Sequence, residues 1–116
     1  MLEKDIQKKA QDYLNEWGLR WFHIPDPVLG FLAQNANSQI RNIISRELRG
    51  VPDLIIFSKS GEYNHCLLLE LKAETGRLTQ GQVNWHKNLN VAVTYGWDEA
   101  REAIDGFIKM IDEEIE

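Results

Sequence analysis

The chain has 116 residues, 43% of them apolar, and a formal net charge of −5. That size suits one domain with a buried core, and no apolar run approaches the ~20 residues that span a bilayer. A single cysteine, Cys66, excludes an internal disulfide framework, and no C-x-x-C zinc pattern is present.

The start, "MLEKDIQKKAQ", lacks the apolar centre and small-residue cleavage site of a signal peptide. We therefore expect one domain over residues 1–116, in a reducing cytosolic compartment and away from membranes. The negative charge is uneven. Residues 98–116 hold eight acidic and two basic groups, whereas residues 1–97 hold eleven basic and ten acidic groups. The acidity thus belongs to the last segment. Arg41, Arg46, Arg49, Lys59, Arg77 and Lys87 remain as candidates to meet phosphates. The balance argues against strong nonspecific affinity for nucleic acid but leaves DNA open as a substrate.

In chain order, residues 2–17 predict an amphipathic helix with Leu2, Ile6, Tyr13, Leu14 and Trp17 on one stripe. Gly18 is a plausible stop. "LRWFHI", 19–24, predicts a strand ended by Pro25 and Pro27. Residues 26–49 begin with loop formers, and Ile40, Ile43, Ile44 and Leu48 then suggest a helix near 38–48. "VPDLIIF" and "HCLLLELK" predict two strands of a hairpin over 51–72, joined by the turn "SKSGEYN". Thr79 with Gln82 makes a capping-box pattern for a helix over about 80–89. "VAVTY", 91–95, predicts a strand. Asp98 is then expected to cap a long helix whose stripe is Ala100, Ala103, Ile104, Phe107, Ile108, Ile111 and Ile115. This order predicts an α/β (α+β) fold, a mixed sheet flanked by helices.

Charged groups seldom sit in buried strands unless they are paired or bind a metal. Asp53 heads the first hairpin strand, and Glu70 and Lys72 end the second. Strand side chains alternate, so Glu70 and Lys72 share a face, and a hairpin brings Asp53 to the same end. Two carboxylates at one point repel unless a cation lies between them. Asp and Glu oxygens suit Mg²⁺. A lysine beside them could orient a water or offset charge on a phosphate. These are the parts of a metal-dependent phosphodiesterase. Spacing alone equally allows a partly buried salt bridge in which Lys72 holds both acids.

The stretch "GVPDL…LLLELKAETGRLTQGQVNW" resembles the PD-(D/E)xK nuclease superfamily, and within it the VRR-NUC family. The matching positions are Gly50, Pro52, Asp53, Glu70, Lys72, Gly76, Leu78, Thr79, Gln82 and Trp85, with Glu3 and Ile6-Gln7 in the first helix. The resemblance covers most of the chain and is weakest over 26–49. It implies a restriction-endonuclease-like core and a catalytic set of Glu3, Asp53, Glu70, Lys72 and Gln82. In that set Asp53 and Glu70 ligate Mg²⁺ or Mn²⁺, and the Leu71 backbone carbonyl adds a ligand. Lys72 positions or activates water. Glu3 completes the acidic cluster through a second metal or a water, and Gln82 supports the site.

Standalone members of this family usually pair as homodimers, act like Holliday-junction resolvases, and are frequent in phage and bacterial genomes. The resemblance therefore implies branched DNA as substrate. A flap- or restriction-type nuclease, or a noncatalytic module that binds DNA or protein, is the alternative. Two departures stand out: Asn90 replaces a usual Gly, and Asp26 a usual Asn.

The remaining chemistry-bearing residues have ordinary readings. His23 could face the site, although a lone histidine is more often surface or core. Cys66 reads as a small core residue. Trp17, Trp21, Trp85 and Trp97 read as core or interface, with base stacking as the alternative. The apolar stripe of the last helix could serve a dimer.

Overall fold

The computed structural model describes residues 1–23, 50–58 and 65–115, with isolated positions 34, 37 and 39. The helix expected near 38–48 lies outside the described residues, as do Arg41, Arg46, Arg49 and Lys59. The elements are α1 (Glu3–Glu16), β1 (Arg20–Phe22), β2 (Leu54–Phe57), β3 (Cys66–Lys72), α2 (Gln80–Asn88), β4 (Val91–Tyr95) and α3 (Gly96–Ile115).

The strands form one sheet in the order β1-β2-β3-β4. β1–β2 and β2–β3 are antiparallel, and β3–β4 is parallel. A parallel neighbour needs a crossover rather than a tight turn, and α2 lies in that crossover. The fold is therefore mixed α+β, as the pattern of elements predicts. The 51–72 hairpin is present, with Leu54 opposite Leu69 and Phe57 opposite Cys66.

Directly opposed residues of an antiparallel pair share a face. Leu54 and Ile56 thus lie on the face of Leu69 and Leu71, and all four are buried. Against them pack Ile6, Ala10 and Leu14 of α1 and Ala100, Ile104, Phe107 and Ile111 of α3. Burying each of the large side chains contributes about 1.5–3 kcal/mol. The two helices are also tied together. The Tyr13 hydroxyl donates to Asp105, and the Tyr13 ring meets Trp97 edge-on at 5.7 Å.

The structure corrects several details of the sequence reading. The buried stripe of α1 is Ile6, Ala10 and Leu14, while Leu2 and Trp17 at its ends are exposed. Both lie outside the helix itself, Leu2 as its N-cap and Trp17 as its C-cap. Asp98 does not cap α3, because that helix begins at Gly96. Gly96 has φ +83°, a left-handed conformation that turns the chain directly from β4 into the helix. Asp98 falls in the first turn, and Glu99 instead accepts from the Tyr95 N–H at 3.3 Å. Cys66 is exposed rather than core. It opens β3 opposite Phe57, itself exposed, on the face away from α1 and α3. Among the described residues no helix is long and apolar enough to cross a membrane.

Candidate active site

The register of the hairpin fixes the site. The Ser58 N–H donates to the His65 carbonyl at 3.0 Å, so those opposed residues form a hydrogen-bonded pair. Such pairs alternate with non-bonded ones in which side chains stand closest. Counting along the ladder, Leu54/Leu69 is a bonded pair and the next one out, Asp53/Glu70, is a close non-bonded pair. The two carboxyls therefore face each other on the side of the sheet opposite the core.

Glu70 is fully buried. Its Oε1 accepts from Gln82 Nε2 at 2.5 Å. Its Oε2 is buried without a close hydrogen-bond partner, its polar neighbours being the carboxyl and N–H of Asp53. Asp53 Oδ2 accepts from the Leu71 N–H at 2.7 Å. Burial raises the pKa of both acids, and for Glu70 the facing Asp53 charge adds to it, taking Glu70 from its ordinary 4.5 to about 9. The Leu71 amide, a hydrogen bond with Glu70 and the charges of His23 and Lys72 pull Asp53 the other way without cancelling the burial.

Lys72 is buried beside them but does not bridge the two acids. Its Nζ lies 3.8 Å from Glu3 Oε1, an ion pair reaching from the end of β3 to the first turn of α1. The salt-bridge alternative, with Lys72 holding Asp53 and Glu70, is not what the structure shows. Glu3 is brought to Lys72 rather than to the carboxyl pair. Among the described residues no three His, Cys, Asp or Glu side chains form a metal-binding group.

Gln82 both closes the helix cap and reaches Glu70. Its N–H donates to Thr79 Oγ1 at 3.2 Å and its Oε1 accepts from the Thr79 N–H at 2.8 Å, which completes the capping box. Its remaining amide donor goes to Glu70. One helix cap thus orients the amide that holds the buried acid. Gly50 explains how α2 comes so near. A Cβ at Gly50 would lie 2.3 Å from the Gly81 carbonyl carbon and 2.4 Å from the Gln82 nitrogen, and its φ is +83°. Only glycine allows this backbone-to-backbone approach.

His23 is closer to the site than its ordinary reading suggested. Its Nδ1 lies 2.7 Å from the Asp53 carbonyl oxygen. That oxygen can only accept, so Nδ1 carries the proton. The bond fixes the backbone at Asp53 from the β1 side. The signal for it was the position of His23 at the end of β1, which pairs with β2. Arg77 and Lys87 are exposed.

An oxygen pair of this kind fits a hard divalent cation. Mg²⁺ is commonly held by one or two carboxylates plus waters, and Glu70 Oε2 is a buried oxygen without a close hydrogen-bond partner. A groove of about 550 Å³ between α1 and α3, lined by Tyr13, Trp17, Arg101 and Asp105, belongs to the helix pair and not to this cluster.

Two outcomes follow from the geometry. With both acid pKa values raised on folding, the unfolded chain releases these protons first. The contribution of this pair to the stability of the metal-free protein is therefore fully present below about pH 3.8 and is lost as the pH rises toward about 9. Glu70→Gln should flatten that slope in urea titrations and stabilise the metal-free protein at pH 8 by about 1–3 kcal/mol, the penalty of an unsatisfied buried group. An unchanged slope contradicts the reading. Gly50→Ala should cost about 2 kcal/mol or more by the same measurement, since both its φ and its contacts are incompatible with a side chain. Wild-type stability in that variant contradicts the close approach.

No curated protein and no solved structure matches the chain. A family model does, the VRR-NUC domain, over residues 1–96, a span that includes α1, the hairpin, α2 and β4. The chain belongs to the VRR-NUC family of nucleases.

Proposed function

We propose that this nuclease is a metal-dependent DNA endonuclease that hydrolyses phosphodiester bonds at the Asp53–Glu70–Lys72 cluster. The observation that carries the reading is Glu70 Oε2, a buried carboxyl oxygen without a close hydrogen-bond partner, facing the carboxyl of Asp53. Asp53 and Glu70 would hold Mg²⁺ or Mn²⁺, with the Leu71 carbonyl beside them. A divalent cation there supplies a Lewis acid for a phosphoryl oxygen and acidifies a bound water.

The protein's own groups have separable tasks. Lys72 presents a cation to the attacking water or to charge developing on the phosphate. Glu3 orients Lys72 through the ion pair at 3.8 Å. Gln82 holds Glu70 Oε1, leaving Oε2 to face Asp53. The Leu71 N–H holds Asp53 Oδ2 in the same way. Arg77 and Lys87, both exposed, are available to the DNA backbone. The finer reading, a homodimer that cuts four-way junctions, rests on the resemblance to standalone family members. A symmetric junction requires two sites, which a two-fold dimer supplies.

The test is cleavage of linear duplex, single strand, 5′ flap and four-way junction with EDTA, Mg²⁺ or Mn²⁺. Wild-type protein should cut only with metal, and Lys72→Ala should lower the rate by about 10²-fold or more while folding normally. Cleavage in EDTA, or full activity in Lys72→Ala, contradicts the proposal. Folded protein that binds all four DNAs and cuts none would make it a binding module.

A further inference from the structure

The ladder that sets Asp53 against Glu70 also says what comes next. The paired register ends at Leu54 and Leu69, and continued two steps further it would set residue 52 opposite Leu71. By the alternation fixed at Ser58/His65 this is a hydrogen-bonded position, where each residue would donate its N–H to the other's carbonyl. Neither bond is made in the ordinary way. The Leu71 N–H goes to Asp53 Oδ2 instead. The reverse bond is impossible, because residue 52 is proline and has no N–H. In an extended strand the N–H and C=O of one residue point to the same edge. The Leu71 carbonyl therefore points to the edge on which Asp53 lies, with its ladder donor deleted by Pro52.

We infer that Pro52 is a positioning residue: it ends β2 one step before the site and keeps the Leu71 carbonyl from being consumed by the sheet. Pro52 is buried, and β2 starts only at Leu54. The residue thus acts through what it withholds. A donor at position 52 would claim the carbonyl, lengthen the hairpin, and remove one oxygen from the neighbourhood of the Asp53–Glu70 pair. The consequence for metal rests on the proposed function above, whereas the consequence for the hydrogen bond does not.

The experiment uses the full chain with Pro52→Ala, and with the α-hydroxy acid analogue of alanine at position 52, which has no N–H and no ring. In the metal-free proteins, NMR would look for scalar coupling across a hydrogen bond from the residue 52 nitrogen to the Leu71 carbonyl carbon. Calorimetry would then measure Mn²⁺ affinity. Pro52→Ala should show the coupling and bind Mn²⁺ about tenfold more weakly or worse, as loss of a supporting interaction usually does. The hydroxy-acid variant should bind as wild type does.

Absence of the coupling in Pro52→Ala overturns the inference. So does wild-type Mn²⁺ affinity in a variant that shows the coupling, or equal weakening in both variants, which would assign the effect to the lost ring. If the wild-type protein binds no Mn²⁺, the metal reading falls and takes the metal half of this inference with it. The coupling result then still decides whether Pro52 withholds a bond.

Discussion

Two carboxyls, Asp53 and Glu70, face each other one step beyond the last paired residues of the hairpin, Leu54 and Leu69. Left alone, such a pair is unfavourable, since each charge must leave water and face its like. The surroundings do not relieve this by inserting a cation between the acids. They hold the pair in place. The Leu71 amide fixes Asp53, the Gln82 amide fixes Glu70, and His23 fixes the backbone under Asp53. The lysine that could have neutralised the pair is instead turned to Glu3. In the metal-free protein the pair relieves its repulsion by holding a proton on Glu70, whose pKa burial and the Asp53 charge raise to about 9, and a cation bound there would have to displace that proton.

The core and the site share one strand. Along β3, Leu69 and Leu71 face the helices, and Glu70 and Lys72 face away. A one-residue slip would exchange them, placing two charges in the core and two leucines at the site. The apolar packing of α1 and α3 on Leu69 and Leu71 is thus also what holds the chemistry in register. The same logic joins the site to its flanks. Glu3 is delivered by the first turn of α1, the helix that packs on the core through Ile6, Ala10 and Leu14. Gln82 is delivered by the cap of α2, which Gly50 lets approach.

Much of this was legible in the sequence. Strand alternation and the hairpin order placed Asp53, Glu70 and Lys72 at one end, because those rules depend only on period two and on chain reversal. The capping box at Thr79–Gln82 was readable for the same local reason. The distribution of partners was not. That Lys72 pairs with Glu3, sixty-nine positions away in the chain, depends on how α1 lies across the sheet. Cys66 looked like core by its residue type, yet its place in the alternation and at a strand start exposes it. Asp98 had the chemistry of a cap, but Gly96 turned the chain two residues earlier. His23 could be read as facing the site but not as a partner of the Asp53 carbonyl, since that bond follows from the β1–β2 register. The basic residues Arg41, Arg46 and Arg49 fall outside the described residues.

The central claim is that the Asp53–Glu70 pair is a cation site held ready by its neighbours. The most direct measurement is the titration of the Glu70 side-chain carboxyl by carbon-13 NMR, without metal and at saturating Mg²⁺. The account predicts a Glu70 that stays protonated well above the ordinary glutamate range in metal-free protein, and that ionises at much lower pH once Mg²⁺ is added. A Glu70 that titrates normally without metal, or one whose titration Mg²⁺ leaves unmoved, would contradict it.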